Sequence, residues 1–99
     1  MDKWLIIINP IAGGGKAKKL EYIIREELDR NRIDYDLVFT SSPGDGITLA
    51  ENSQSKLVVA VGGDGTINEV AKGLINRQEG ILGIIPGGTG NDLSKTLAI

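Results

Sequence analysis

The stretch "KWLIIIN" at 3–9 is apolar at every position from Trp4 to Ile8. A strand with no polar alternation has no face to offer water, so it must be buried on both sides. "SKLVVAV" (55–61) and "GILGIIP" (80–86) read as a third and a fourth strand. "IDYDLVFT" (33–40) alternates before turning apolar, as a second strand nearer an edge would. Between these runs the period changes. Leu20, Ile23, Ile24 and Leu28 recur at helical spacing and predict a helix over 16–31 with a charged outer face. Ile67, Val70, Ala71, Leu74 and Ile75 predict a helix over 66–76. "SSPGDG" reads as loop, followed by a weak helix to about Asn52, and a further helix is expected from Asn91 to Ala98. This β-α alternation predicts an α/β fold: an open, mostly parallel sheet with helices on both faces, in three α/β/α layers.

Composition removes several function classes. The chain has 99 residues, enough for one domain or part of one. A net charge of −2 gives no reason to expect a nucleic-acid partner. With no cysteine and no histidine, disulfides, thiolate or imidazole catalysis and zinc-type sites are excluded, leaving oxygen ligands as the metal route. No apolar run approaches the ~18 residues of a membrane span, and "WLIII" is too short for a signal peptide, so a cytoplasmic protein is expected.

One local theme recurs: apolar strand, glycine cluster, helix. It occurs at 13–15, 62–65 and 87–90, each at the carboxyl end of a predicted strand, the edge where open α/β sheets bind ligands. Glycine lets a ligand reach main-chain N–H groups, and a helix starting just after the loop adds unpaired donors and partial positive charge. Three such loops on one edge point to a polyphosphate, with Gly62, Gly63, Gly65 and Gly88 in the cradle and Lys16 as an added cation. Each cluster also fits a tight strand-to-helix turn, and Lys16 fits a solvated first-turn lysine. Thr66 and Glu69 fit a capping box, with Thr66 as N-cap and Glu69 reaching back. Asp64 fits a turn aspartate less well, since Asn would serve equally. A carboxylate beside phosphates makes sense if magnesium or ordered water lies between them.

Standard nucleotide motifs fail. A Walker A loop would need Gly at 10 and Ser or Thr at 17, where the chain has Pro10 and Ala17. A GxGxxG fingerprint meets Lys18, Asn68 and Leu93 where its last glycine should fall in the three loops.

"NPIAGGGK" (9–16), "VGGDGTINEV" (61–70) and "IPGGTGNDLSKTL" (85–97) resemble, in the family's order, the catalytic domain of the diacylglycerol kinase family, which includes bacterial lipid kinases and sphingosine and ceramide kinases. The resemblance spans essentially the whole chain. GGDGT alone is shared with NAD kinases; the flanking motifs favour the lipid kinases. It implies a fold similar to the N-terminal domain of NAD kinase and to phosphofructokinase-like folds. It further implies ATP contacts at Asn9, Pro10, Ile11, Ala12, Gly13 and Thr40, completed by Gly63, Asp64, Gly65, Thr66, Ile67, Asn68, Glu69 and Thr89. Asp64 matches the aspartate needed for phosphoryl transfer, and Asn91 and Asp92 match the turn supporting a magnesium-linked water network. Ala12 stands where the family often has Ser, and Gly46 where Ala is usual, so the helix there should start weakly.

The expectation is therefore the nucleotide-binding half of an ATP- and magnesium-dependent lipid kinase. Its lipid pocket and general base would belong to a later, mostly β domain, and peripheral membrane contact to the full-length enzyme. On its own the chain should not phosphorylate lipid, and Leu93, Leu97 and Ile99 should promote self-association. The alternatives are an NAD kinase-like fragment and a free-standing nucleotide-binding module.

Overall fold

A computed structural model describes residues 3–86. The strands are β1 (Trp4–Ile8), β2 (Tyr35–Phe39), β3 (Leu57–Gly62) and β4 (Ile81–Pro86). The helices are α1 (Lys16–Arg30), α2 (Asp45–Asn52) and α3 (Asp64–Asn76), with a short 3-10 turn at Ala12–Gly15 before α1. The strands form one sheet in the order β2-β1-β3-β4, every pair parallel. The expected helix from Asn91, the third glycine cluster and the apolar Leu93, Leu97 and Ile99 lie outside the described residues.

The two apolar faces of β1 and β3 meet different helices, as their unbroken apolar runs require. Ile6, Ile8, Val59, Val61 and Ile85 pack with Ala17, Leu20, Ile24 and Leu28 of α1. Leu5, Ile7, Val58 and Ala60 pack on the other face with Ala50 of α2 and Val70 and Leu74 of α3. The result is the expected three-layer α/β/α arrangement. β2 at one edge is only partly buried, in keeping with its alternating sequence. Ile24 is fully buried, and truncating it to Ala should cost about 2–5 kcal/mol.

The weak start foreseen for α2 is offset by tertiary contacts, because α3 holds α2 along its length. Glu69, Gly73 and Arg77 are one helical turn apart and share a face. At the amino end of α2, the Gly44 and Gly46 N–H groups donate to Glu69 Oε2 and Oε1 at 2.9 and 3.0 Å. In the middle, a Cβ on Gly73 would lie 2.5 Å from the Ile47 carbonyl oxygen, so the helices touch through bare backbone. At the carboxyl end, Arg77 donates to the Ala50 and Ser55 carbonyls at 3.3 and 2.7 Å. An anion at the start of a helix and a cation at its end both complement its dipole.

Candidate functional site

In the order β2-β1-β3-β4 the chain runs outward in opposite directions from the β1–β3 pair. That reversal opens a crevice beyond the carboxyl ends of the two strands. Both described glycine loops flank it. A cleft of about 550 Å³ lies there, lined by Asn9, Pro10 and Ile11 after β1, Thr40–Pro43 after β2, and Gly65, Thr66 and Glu69 of α3. A shallower concavity of about 640 Å³ lies near Lys3, Asp36 and Ser53–Ser55, away from the glycine loops.

Local bonds hold the wall after β1. Asn9 N–H donates to the Val61 carbonyl at 3.0 Å, tying the loop to β3. Its Oδ1 accepts the Ile11 N–H at 3.2 Å, and its carbonyl accepts Ala12 N–H at the same distance. Thr40 N–H donates to the Ile8 carbonyl at 2.9 Å, placing the end of β2 beside β1.

The junction after β3 differs from the sequence reading. α3 begins at Asp64 with Gly63 as N-cap, and Gly63 is extended at φ −93° and ψ −167°. Thr66 is therefore the third residue of the helix rather than its cap. It is 5% exposed, and a Cβ on Gly62 would meet its Oγ1 at 2.8 Å, so Gly62 makes room for it. Glu69 does not reach back along its own helix. Both its carboxylate oxygens serve α2, which corrects the capping-box expectation. The Asp64, Gly65 and Thr66 N–H groups have no backbone acceptor among the described residues. They are the unpaired donors of a helix start, and they face the switch-point edge.

Among the expected site residues, Asn9, Pro10, Ile11, Thr40, Gly65, Thr66 and Glu69 come together on the cleft. Asp64 and Gly63 are exposed at its margin, and the Asp64 carboxylate has no hydrogen-bond or ion-pair partner among the described residues. Ala12, Gly13, Gly62, Ile67, Asn68 and Lys16 do not line the cleft. Ile67 packs against the core on the α3 side, while Asn68 and Lys16 are exposed. Gly88, Thr89, Asn91 and Asp92 lie outside the described residues. No group of three acidic side chains able to hold a metal occurs among those described. Magnesium ordinarily needs only one or two carboxylates with substrate phosphates and water, so a lone, unpartnered Asp64 is compatible with it.

On the wall after β2 the sequence reading names Thr40 but not Ser41, Ser42, Pro43 or the Asp45 that holds them. Asp45 accepts the N–H groups of Ser41 and Ser42 at 2.7 and 3.0 Å and their hydroxyls at 2.8 and 3.1 Å. The Ser41 N–H, then the Ser41 hydroxyl and the Ser42 N–H, pull its pKa down from 3.8 to about 2. The signal is partial: Ser42-x-x-Asp45 has the S-x-x-D spacing and Asp45 reaches back to the Ser42 N–H, but α2 begins at Asp45 with Gly44 as its N-cap.

The family model of the diacylglycerol kinase catalytic domain matches residues 3–99. A Streptococcus pneumoniae protein bearing a lipid-kinase name is 42% identical over 107 residues, covering 100% of this chain and 35% of the relative. The "Diacylglycerol kinase" of Bacillus subtilis is 35% identical over 105 residues, covering 100% of this chain and 34% of its own length. A crystal structure of a diacylglycerol kinase from Bacillus anthracis aligns with a TM-score of 0.70 at 33% identity, over 99% of this chain and 37% of that one. The chain thus spans about a third of the length of these relatives.

Proposed function

The chain belongs to the diacylglycerol kinase catalytic-domain family, and we propose that it is the ATP-binding portion of a lipid kinase that moves the γ-phosphoryl of ATP to a lipid hydroxyl such as that of diacylglycerol. The observation that carries this reading is the start of α3. Among the described residues, three N–H groups there have no backbone acceptor and the carboxylate beside them has no partner, at the switch point of a parallel sheet. Such a helix start attracts a phosphate.

On this reading Asn9, Pro10, Ile11 and Thr40 bound the nucleotide, and Gly63 and Gly65 let its phosphates approach the α3 amides. Ala12, Gly13 and Lys16 border the phosphate path, while Gly88, Thr89 and Asn91 would complete it. Asp64 is the catalytic carboxylate, and Asp92 supports the metal indirectly through water. Phosphoryl transfer asks mainly for positioning and charge stabilisation, which helix donors and a placed carboxylate supply. Magnesium, when bound, would neutralise charge on the β- and γ-phosphates. The names of the relatives favour a lipid over a dinucleotide as acceptor. Residues 1–99 then bind nucleotide without phosphorylating lipid by themselves, and contact with the membrane belongs to the whole protein.

Calorimetry of ATP–magnesium binding to the chain, beside a radiolabelled assay with diacylglycerol micelles, tests both parts. Saturable binding without lipid phosphate is the expected result. Absence of binding overturns the nucleotide reading. Turnover at about 1–100 per second, typical of kinases, overturns the half-enzyme reading.

A further inference from the structure

Resting on the nucleotide reading above, we infer that Glu69 is a positioning residue. Through the backbone of Gly44 and Gly46 it holds the Thr40–Pro43 wall against the nucleoside end of the nucleotide. It does not bind phosphate or metal. Each carboxylate oxygen accepts one N–H, at 2.9 Å from Gly44 and 3.0 Å from Gly46. Those donors begin α2, immediately after the wall, and Glu69 itself lines the cleft beside it. The bond joins segments far apart in sequence, so it sets the distance between the wall and α3.

Charge decides which end of the nucleotide meets this wall. Glu69 and the ionised Asp45 put carboxylates on and behind it, and a triphosphate there would be repelled. The donors for phosphate lie at Asp64–Thr66 instead, with no backbone acceptor among the described residues. The apolar surface at this end comes from Pro43 on the wall and from Ile11, 78% exposed, on the loop after β1, beside the uncharged Thr40, Ser41 and Ser42. A flat, uncharged base suits that gap. Gly46 belongs to the same device, because a Cβ there would lie 2.8 Å from Glu69 Oε1 and 3.0 Å from its Cβ.

The test compares ATP with inorganic tripolyphosphate, each with magnesium, by calorimetry on the chain and on Glu69→Gln and Glu69→Asp. Gln keeps the length but can accept only one of the two N–H groups. Asp keeps the charge but cannot span both. ATP should bind about tenfold more weakly to both variants, with tripolyphosphate affinity unchanged and faster amide exchange at Gly44 and Gly46. Gly46→Ala, which presses on the carboxylate while keeping it, should show a smaller loss confined to ATP, and it carries the test if the Glu69 variants fail to fold. A parallel fall for tripolyphosphate would assign Glu69 to the phosphates or metal and overturn the inference. Unchanged ATP affinity in the variants would overturn it too. If the unaltered chain binds neither ligand, the nucleotide reading has failed and the inference falls with it.

Discussion

In the loop after β1, Gly13, Gly14 and Gly15 have φ of 62°, 68° and 95°, a left-handed run that side-chain-bearing residues resist. Part of its amide supply is spent inward: Gly15 N–H donates to the Ile11 carbonyl, and Lys16 N–H to those of Ala12 and Gly13. After β3, Gly63 is extended, Gly65 is helical, and a Cβ on either would meet nothing within 4 Å among the described residues. The helix donors beside them have no backbone acceptor among the described residues. The first loop needs glycine to make its turn. Among the described residues the second has no internal need for glycine at 63 or 65, so those two positions support the proposed approach of a ligand and the first three do not.

The sharpest way to break this comparison is at the second loop. On the proposed reading, Asp64→Asn placed in a complete enzyme should remove about 3–4 kcal/mol of barrier stabilisation, read as turnover, with melting unchanged. Near-normal turnover would end the catalytic assignment. Gly63→Val should come next. ATP affinity measured by calorimetry should be largely lost while the melting temperature holds, because only the ligand's path is blocked.

At the first loop the order reverses. Gly13→Val should lower stability by roughly 1–2 kcal/mol from its left-handed backbone, seen first as a lower melting temperature. Its loss of ATP affinity would follow from the displaced loop. If it bound ATP poorly at full stability, the two loops would be equivalent and the contrast lost. Gly62→Ala is a bridging case. Its Cβ would press on Thr66, costing about 1–3 kcal/mol by overpacking.

Acid should act on the cleft's third wall. Asp45 has a folded pKa of about 2 against 3.8 in the unfolded chain. Its contribution is therefore complete above pH 3.8 and lost as pH falls through about 2. Protection of the Ser41 and Ser42 amides, taken relative to their intrinsic exchange rates, should fall in that window and be flat above it. The smallest effect belongs to Lys16→Ala. Its exposed cation should change ATP affinity by about 1 kcal/mol or less.

Much of the layering could be read from period alone, because β1 and β3 are apolar on both faces and α1 carries its stripe at Leu20, Ile24 and Leu28. The strand order could not be read that way, since nothing local says that β1 lies between β2 and β3. The first two glycine clusters also look alike as letters, and only backbone angles and neighbours separate their causes. The Thr66–Glu69 spacing misled because a capping box requires the helix to start at Thr66. Asp64 and Gly65 join the helix instead, against the low helix propensity of glycine. Glu69 is thereby turned toward α2, a partner far away in the chain. α2 was underrated for the same reason, its support coming from Glu69, Gly73 and Arg77.

The central position of β1 also bears on how the chain folds. Trp4 aligns with Tyr35 and Leu5 with Val58, so the strand made first must wait for partners from much later in the chain. Such long closures are slow, and parallel pairings form late. The cleft lies where β1, β2 and β3 end, so its walls meet only after these pairings are complete. A nucleotide therefore has nothing to hold in an early folding species. ATP–magnesium should leave the refolding rate unchanged and slow unfolding, which places its whole stabilising effect on one arm of the kinetics.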